Sequence, residues 1–294
     1  MGKSGADILK YAQKIWQSVR SDALLQRVLK NSGYLFSSSS LVLLLAMVQS
    51  ILSGRLLGAA ELGVLGAITA FASTINRLFS FRMGDLVVKY LGVYLPQNEK
   101  QRAAAIIKIA ALTEAASSVL AFALLMGFAP LGARLFAKDL SYVPLFRIYG
   151  ISILGSLMAE TATGVLQSTE RFKHQAWINL GQSLLTAGLI LSAFLFNGGL
   201  GWVVMAYLVG KVVLGSLPVL MAWRSLDSHL GAGWWRAPLT GLPPWKELVH
   251  FAVTSNLSAT VNMLVRDSEI LWVALFLNPT AAGAKILTDG DSRG

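Results

Sequence analysis

Twelve ionisable side chains fall inside stretches that are otherwise fit for hydrocarbon: Arg77, Arg82, Lys89, Lys108, Arg147, Lys211 and Arg266 against Asp85, Glu114, Glu160, Asp267 and Glu269. An ionisable group at mid-bilayer costs about 3 kcal/mol on insertion scales, so it faces a bundle interior or an aqueous cavity. Arg77, Arg82, Asp85 and Lys89 fall within an arc of roughly 140° if they share one helix turning about 100° per residue. Asp85 stands three residues after Arg82 and four before Lys89, within reach of either. Asn262, Arg266 and Glu269 share one face of a helix, with Asp267 beside them. Two readings follow. The charges pair across helices and hold a bundle together, or they line a pathway. On the second reading Arg77, Arg82, Lys89, Lys211 and Arg266 suit an anionic cargo such as a phosphate or pyrophosphate. Asp85, Glu114, Glu160, Asp267 and Glu269 are then candidates for proton or cation coupling. Lys108 and Arg147 sit near helix ends, where long side chains snorkel to the headgroups.

Other chemistry is poorly served. The chain has no Cys, so there is no disulfide, thiolate metal site or thiol nucleophile. His174, His229 and His250 have no metal-binding spacing, and there is no Walker loop for a nucleotide. The Ser run 37–40 lacks a base, and small hydroxyls in a helix favour close packing instead. These residues predict neither an enzyme nor a cofactor nor a metal.

The elements that must position the charges are membrane helices. The 294 residues are 54% hydrophobic and only 14% charged, with a mean hydropathy of +0.59. Soluble domains carry about 25% charged residues, so this chain cannot make a polar skin. Its net charge of +10 is read as loops held against anionic lipid, not as a nucleic-acid surface. Apolar runs of about 20 residues span a bilayer as helices, since each backbone polar group must be satisfied within the segment. The pattern predicts an all-α bundle of about seven spans, near 34–57, 64–91, 104–128, 143–167, 176–197, 200–223 and 251–278. Long apolar runs lack the period-two alternation of a closed barrel.

Lys and Arg in the loops set the orientation. With the N-terminus in the cytoplasm, inside segments hold thirteen (Lys3, Lys10, Lys14, Arg20, Arg27, Lys30, Lys100, Arg102, Arg171, Lys173, Arg224, Arg236, Lys246) and outside ones three (Arg55, Arg134, Lys138). The domain organisation expected is a cytoplasmic N-terminal segment 1–33, a six-helix lobe 34–224, a cytoplasmic interlobe loop 225–250, a seventh helix and turn 251–283, and a polar tail 284–294. Residues 1–33 lack the apolar core of a signal peptide. Their Ile8, Leu9, Tyr11, Ala12, Ile15 and Trp16 recur at helical spacing among lysines, as in an amphipathic helix on the inner leaflet or one that leads into the first span. The loop carries Trp234, Trp235, Pro243, Pro244 and Trp245, fitting an interfacial anchor and hinge or a plain linker.

A short repeat links RLLGAAELGVLGA (55–67) to LFLNPTAAGAKIL (275–287), with an offset of 220 that puts Leu57 on Leu277 and Gly63 on Gly283. Six spans separate the copies, as a duplicated six-helix half requires. The polar TDGDSRG ending predicts a chain cut short soon after its second half begins.

Four stretches resemble the bacterial polysaccharide (O-antigen type) flippases of the multidrug/oligosaccharidyl-lipid/polysaccharide exporter superfamily: RLLGAAELG (55–63), SFRMGDLVVKYLG (80–92), GVLQSTERFK (164–173), and 245–283 with Glu269 ten residues before Pro279. Gly58 lacks the usual following Pro, and Asn278 stands for a usual Gly. The resemblance implies two six-helix lobes around a central cavity, of which this chain covers one lobe and the first helix of the next. It implies movement of an undecaprenyl-pyrophosphate-linked oligosaccharide across the cytoplasmic (inner) membrane by alternating access, driven by an ion gradient. Its partners are then membrane lipid and the lipid-linked oligosaccharide, with no nucleic acid and a second chain as the source of a missing lobe. The rival readings are a small-molecule multidrug antiporter, which favours an acidic and aromatic lining, an inactive flippase fragment, and a membrane-embedded glycan polymerase.

Overall fold

The computed structural model describes the backbone of residues 23–79, 81 and 83–266, and the side chains of 33–257 except 35, 80 and 82. The described residues form helices, with no strand among them. Helix α1 (Ala23–Phe79) is interrupted at one residue, Gly58, whose φ of 70° and ψ of 175° only glycine adopts readily. Then come α2 (Gly84–Tyr94) and α3 (Lys100–Gly132), the latter extended by a π turn (Ala133–Ala137). After a short 3₁₀ turn (Leu140–Tyr142) follow α4 (Val143–Gly155), α5 (Ala159–Ser168), α6 (Phe172–Leu195) and α7 (Leu200–Leu230). A second 3₁₀ turn (Trp234–Arg236) leads to α8 (Trp245–Arg266). Five stretches are long and apolar enough to cross a membrane: Phe36–Phe79, Lys100–Ala137, Leu140–Ser168, Phe172–Leu195 and Leu200–Leu230. The first holds two helices on either side of Gly58. The protein is a polytopic helical membrane bundle.

Several boundaries differ from those read in the sequence. Helix α1 runs without interruption through residue 33, so the N-terminal segment and first span are one helix from Ala23 onward. The expected span 64–91 is two helices, ending at Phe79 and restarting at Gly84. The arc of Arg77, Asp85 and Lys89 therefore does not lie on one continuous helix. The span 143–167 is likewise broken at 156–158, between α4 and α5. Of the loop 225–250, residues through Leu230 and from Trp245 onward are helical. The expectations for residues 1–22, Arg82, Asp267, Glu269 and the tail lie outside the described residues, as does the side chain of Arg266.

The core is layered. One apolar cluster takes Ile68 and Phe71 from α1, Ala121–Ala133 from α3, Phe146 and Ile153 from α4, and Leu200–Leu208 from α7. A second takes Leu86–Tyr94 from α2, Ala103–Ala110 from α3, Val165 and Leu166 from α5, and Ala222 and Leu226 from α7. Along α3 the two clusters are separated by Glu114, and along α7 by Lys211. The breaks between α1 and α2 and between α4 and α5 fall in the same interval. The bundle thus has an apolar layer towards each end and a polar layer midway, where two of its helices are discontinuous. Irregular backbone at membrane depth is tolerated where it lines a cavity.

Candidate functional site

The polar layer encloses a cavity of about 560 Å³, walled by Asn76, Arg77, Gly84, Asp85, Glu114, Tyr149, Glu160, Gln167, Gln175, Asn179 and Lys211 among others. Every helix from α1 to α7 contributes. The two breaks bring the starts of α2 and α5 to the wall, and a helix start presents unsatisfied N–H groups and a partial positive charge.

Glu114 meets the start of α5 directly. Its Oε1 accepts the backbone N–H of Glu160 at 2.9 Å and its Oε2 that of Thr161 at 2.8 Å. The residue is only 2% exposed. A buried carboxylate needs hydrogen bonds and a compensating charge, and the α5 terminus supplies both. The N-cap residue of α5, Met158, has no side-chain acceptor, so Glu114 does from α3 what a capping side chain does locally.

Close backbone packing sets the rest of the wall. A Cβ on Gly84 would lie 2.9 Å from the carbonyl oxygen of Glu160, and one on Gly164 would lie 2.6 Å from that of Gly84. Only glycines allow α2 and α5 to approach this far, as small residues do between membrane helices. Gly215 of α7 packs in the same manner against the carbonyl of Gly155, at the end of α4.

Arg77, Asp85 and Lys211 are exposed side chains on the cavity, and Glu160 is half-buried there. Among amides, Asn76 Oδ1 and Gln175 Oε1 are buried acceptors without a hydrogen-bond partner among the described residues. With Gln167, Asn179, Ser73, Ser152, Ser156 and Thr163 they give the cavity many neutral donors and acceptors. Its aromatic content among the described residues is Tyr149.

Of the residues singled out in the sequence, Arg77, Asp85, Glu114, Glu160 and Lys211 converge on this cavity. Lys89 does not. Its Nζ lies 3.4 Å from Glu247 Oε1 and 4.6 Å from the Phe251 ring centroid, at the contact of α2 with α8. Tyr90 donates its hydroxyl to the same Glu247 oxygen at 2.8 Å. These two partners, the tyrosine first, hold the Glu247 carboxyl below its ordinary range. The amine of Lys108 donates to the carbonyl of Ala237. Among the described residues the wall holds Arg77 and Lys211 with Asp85, Glu114 and Glu160, while the side chains of Arg82 and Arg266, which belong to the expected cationic excess, lie outside the described ones. One of these acids is engaged by a helix terminus. Sequence reasoning misses the amides because polar but uncharged residues in an apolar run carry no charge signal.

The sequence profile of the family described as "Polysaccharide biosynthesis protein" matches residues 28–284, spanning every described helix but the first few residues of α1. The chain belongs to the polysaccharide biosynthesis protein family. It is also similar to the inner membrane protein YghQ of Escherichia coli (strain K12), with 23% identity over 264 residues, covering 90% of this chain and 74% of that one. No solved structure matches the chain. The matched residues include those of both core layers and of the cavity between them.

Proposed function

We propose that this family member translocates an undecaprenyl-pyrophosphate-linked saccharide across the inner membrane, N-terminus inside, with the midway cavity as the passage for the head group. The observation that carries the reading is a polar, amide-rich cavity held between two apolar layers at two helix breaks, in a polysaccharide biosynthesis protein. A sugar-pyrophosphate head cannot cross hydrocarbon unaided. Arg77 and Lys211 offer charge-assisted contacts to the pyrophosphate. Asn76, Gln167, Gln175 and Asn179 match the hydroxyls of a saccharide, which both donate and accept. The inner membrane is the location printed for the relative YghQ. Asp85, Glu114 and Glu160 are the coupling candidates with carboxylates in this wall, Glu114 being the one already bonded to the start of α5. For Arg82, Arg266, Asp267 and Glu269 the proposed roles rest on the sequence alone.

The three acids of the wall favour the antiporter reading to a degree, since a multidrug cavity gains from negative charge. Its amides and single tyrosine favour a saccharide over an aromatic cation.

The test is complementation. A bacterial strain lacking its own O-antigen flippase, given this chain, is expected to restore polymer on gels and to relieve accumulation of lipid-linked precursor on the cytoplasmic face. The Arg77→Ala/Lys211→Ala variant, present in the membrane at the wild-type level, is expected to lose both. Full polymer from that variant would remove the cavity from the passage. Precursor that stays on the inner face with the wild-type chain would exclude the flippase reading.

A further inference from the structure

A second cavity, of about 230 Å³, opens on the flank of the bundle between α3, α5 and α7, closed on one side by Trp234 and Trp235. It shares Glu114's helix, α3, but none of the residues that wall the midway cavity. Its floor is apolar: Ile107, Ala111, Ala162, Val165, Val219 and Ala222. Its rim is open, with Leu112 61%, Trp223 46% and Trp235 47% exposed. At 1.5 Å of rise per residue, the α7 lining lies roughly 6–17 Å from the end of that helix. Trp prefers the depth at which headgroups give way to acyl chains, and Trp223, Trp234 and Trp235 all line this slot.

Besides the indoles, the polar side chains of the slot are Thr161 and Lys108, and the Lys108 amine donates to the carbonyl of Ala237. Lys108 is the charged residue in its wall. The guanidinium of Arg236 lies 4.5 Å over the ring of Trp235. The indole N–H of Trp234, a residue 9% exposed, is buried and has no hydrogen-bond partner among the described residues. An unmet buried donor is costly, so it marks a place for an acceptor. An apolar slot with Lys108 in its wall, the Arg236 guanidinium beside it over Trp235, and an unmet N–H on Trp234 complements a group that is hydrocarbon at one end and an anionic acceptor at the other. The volume falls below the roughly 300 Å³ of small-molecule pockets and suits a slender chain.

We infer that this flank is a binding site for an anionic glycerophospholipid of the surrounding bilayer, with an acyl chain in the slot and the phosphodiester at Trp234, Lys108 and Arg236. The site lies apart from the passage and does not depend on what the protein carries. A lipid held here bridges the 3₁₀ turn Trp234–Arg236 to α3 and α7, and so anchors the connection that leads into α8.

The test is native mass spectrometry of the full chain, delipidated in detergent and titrated with phosphatidylglycerol or phosphatidylcholine. One saturable phosphatidylglycerol is expected, held about tenfold tighter than phosphatidylcholine, which has the same phosphodiester but adds a choline cation that Lys108 and Arg236 repel. Ala111→Phe fills the slot and is expected to abolish that preference. Ala116→Phe, on the exposed face of the same helix, is expected to leave it intact. Trp234→Phe keeps the ring and removes the donor, and Arg236→Ala removes a rim cation without touching the core. Each is expected to weaken phosphatidylglycerol several-fold, with unchanged melting of the lipid-free protein. Equal affinity for the two lipids, or a preference that survives Ala111→Phe and Trp234→Phe, overturns the inference. Displacement of phosphatidylglycerol by equimolar undecaprenyl phosphate, in an Ala111→Phe-sensitive manner, also overturns it, because the slot would then belong to the cargo.

Discussion

Glu114 on α3 accepts the backbone N–H of Thr161 on α5 at 2.8 Å, joining residues 47 apart in sequence midway between the two apolar layers of the bundle. The bond ties a buried carboxylate to the helix break that opens the cavity, so cavity shape and this one side chain are linked. Glu114→Ala leaves the N–H of Thr161 without an acceptor in a buried place, which costs about 1–3 kcal/mol, and that of half-buried Glu160 without its partner. The expected outcome is a markedly lower melting temperature in detergent. Glu114→Gln retains one acceptor oxygen and is expected to fall between Ala and wild type. Melting curves that coincide for all three proteins would mean that the terminus of α5 is satisfied without Glu114.

The approach of α2 to α5 gives a second prediction. Gly164→Ala would set a methyl 2.6 Å from the carbonyl oxygen of Gly84, and the obstacle is backbone, which cannot swing away. Over-packing of this kind costs about 1–3 kcal/mol. Because the contact borders the cavity, the variant is expected to lose transport as well as stability. Parallel measurement of polymer restoration and of melting checks both parts.

Much of the architecture is legible in the sequence. The long apolar runs of α3, α6 and α7 disclose themselves because lipid demands hydrophobicity at every exposed position. That same demand hides the breaks. GSLMA (155–159) is apolar and FSFRMG (79–84) sets a single charge among mostly apolar residues, so averaged hydropathy runs through both. Reading 64–91 as one helix places Lys89 in the pathway, whereas the break turns it towards Glu247. Glu114 is legible as a lone acid in an apolar helix, but charge counting looks for a cationic partner and cannot see two backbone N–H groups. The amides Asn76 and Gln175 are silent because a neutral side chain disturbs neither the charge count nor the hydropathy enough to be noticed.

The contact of α2 with α8 should depend on pH. Tyr90 and Lys89 lower the Glu247 carboxyl below its ordinary value of 4.5. A group whose folded value lies below its unfolded one contributes fully above the unfolded value and loses that contribution as pH falls through the folded value. The contact is therefore expected to hold at neutral pH and to loosen only below pH 4.5. Tyr90→Phe removes the largest cause and is expected to move the loosening to higher pH. Hydrogen exchange of the amides of 248–252, corrected for intrinsic rate across the acid range, reads it out. Exchange independent of pH in that range would show that Glu247 does not hold α8.

Gly58 separates backbone strain from steric room. Its φ of 70° and ψ of 175° place it in a region that side chains rarely enter, yet a Cβ there would meet nothing within 4 Å. Gly58→Ala therefore tests the backbone conformation alone, at an expected cost of about 1–3 kcal/mol. Gly188, within α6, also has open space where a methyl would project, but no positive φ. Gly188→Ala is expected to be neutral or to stabilise by about 0.5–1 kcal/mol, since alanine is the better helix former. The pair share chemistry and crowding and differ in dihedral angle, so a lower melting temperature for Gly58→Ala but not Gly188→Ala isolates the turn between the first two spans. If Gly58→Ala melts with the wild type, α1 passes residue 58 as an ordinary helix. The first two spans would then lose the hinge that sets Arg77 on the cavity wall.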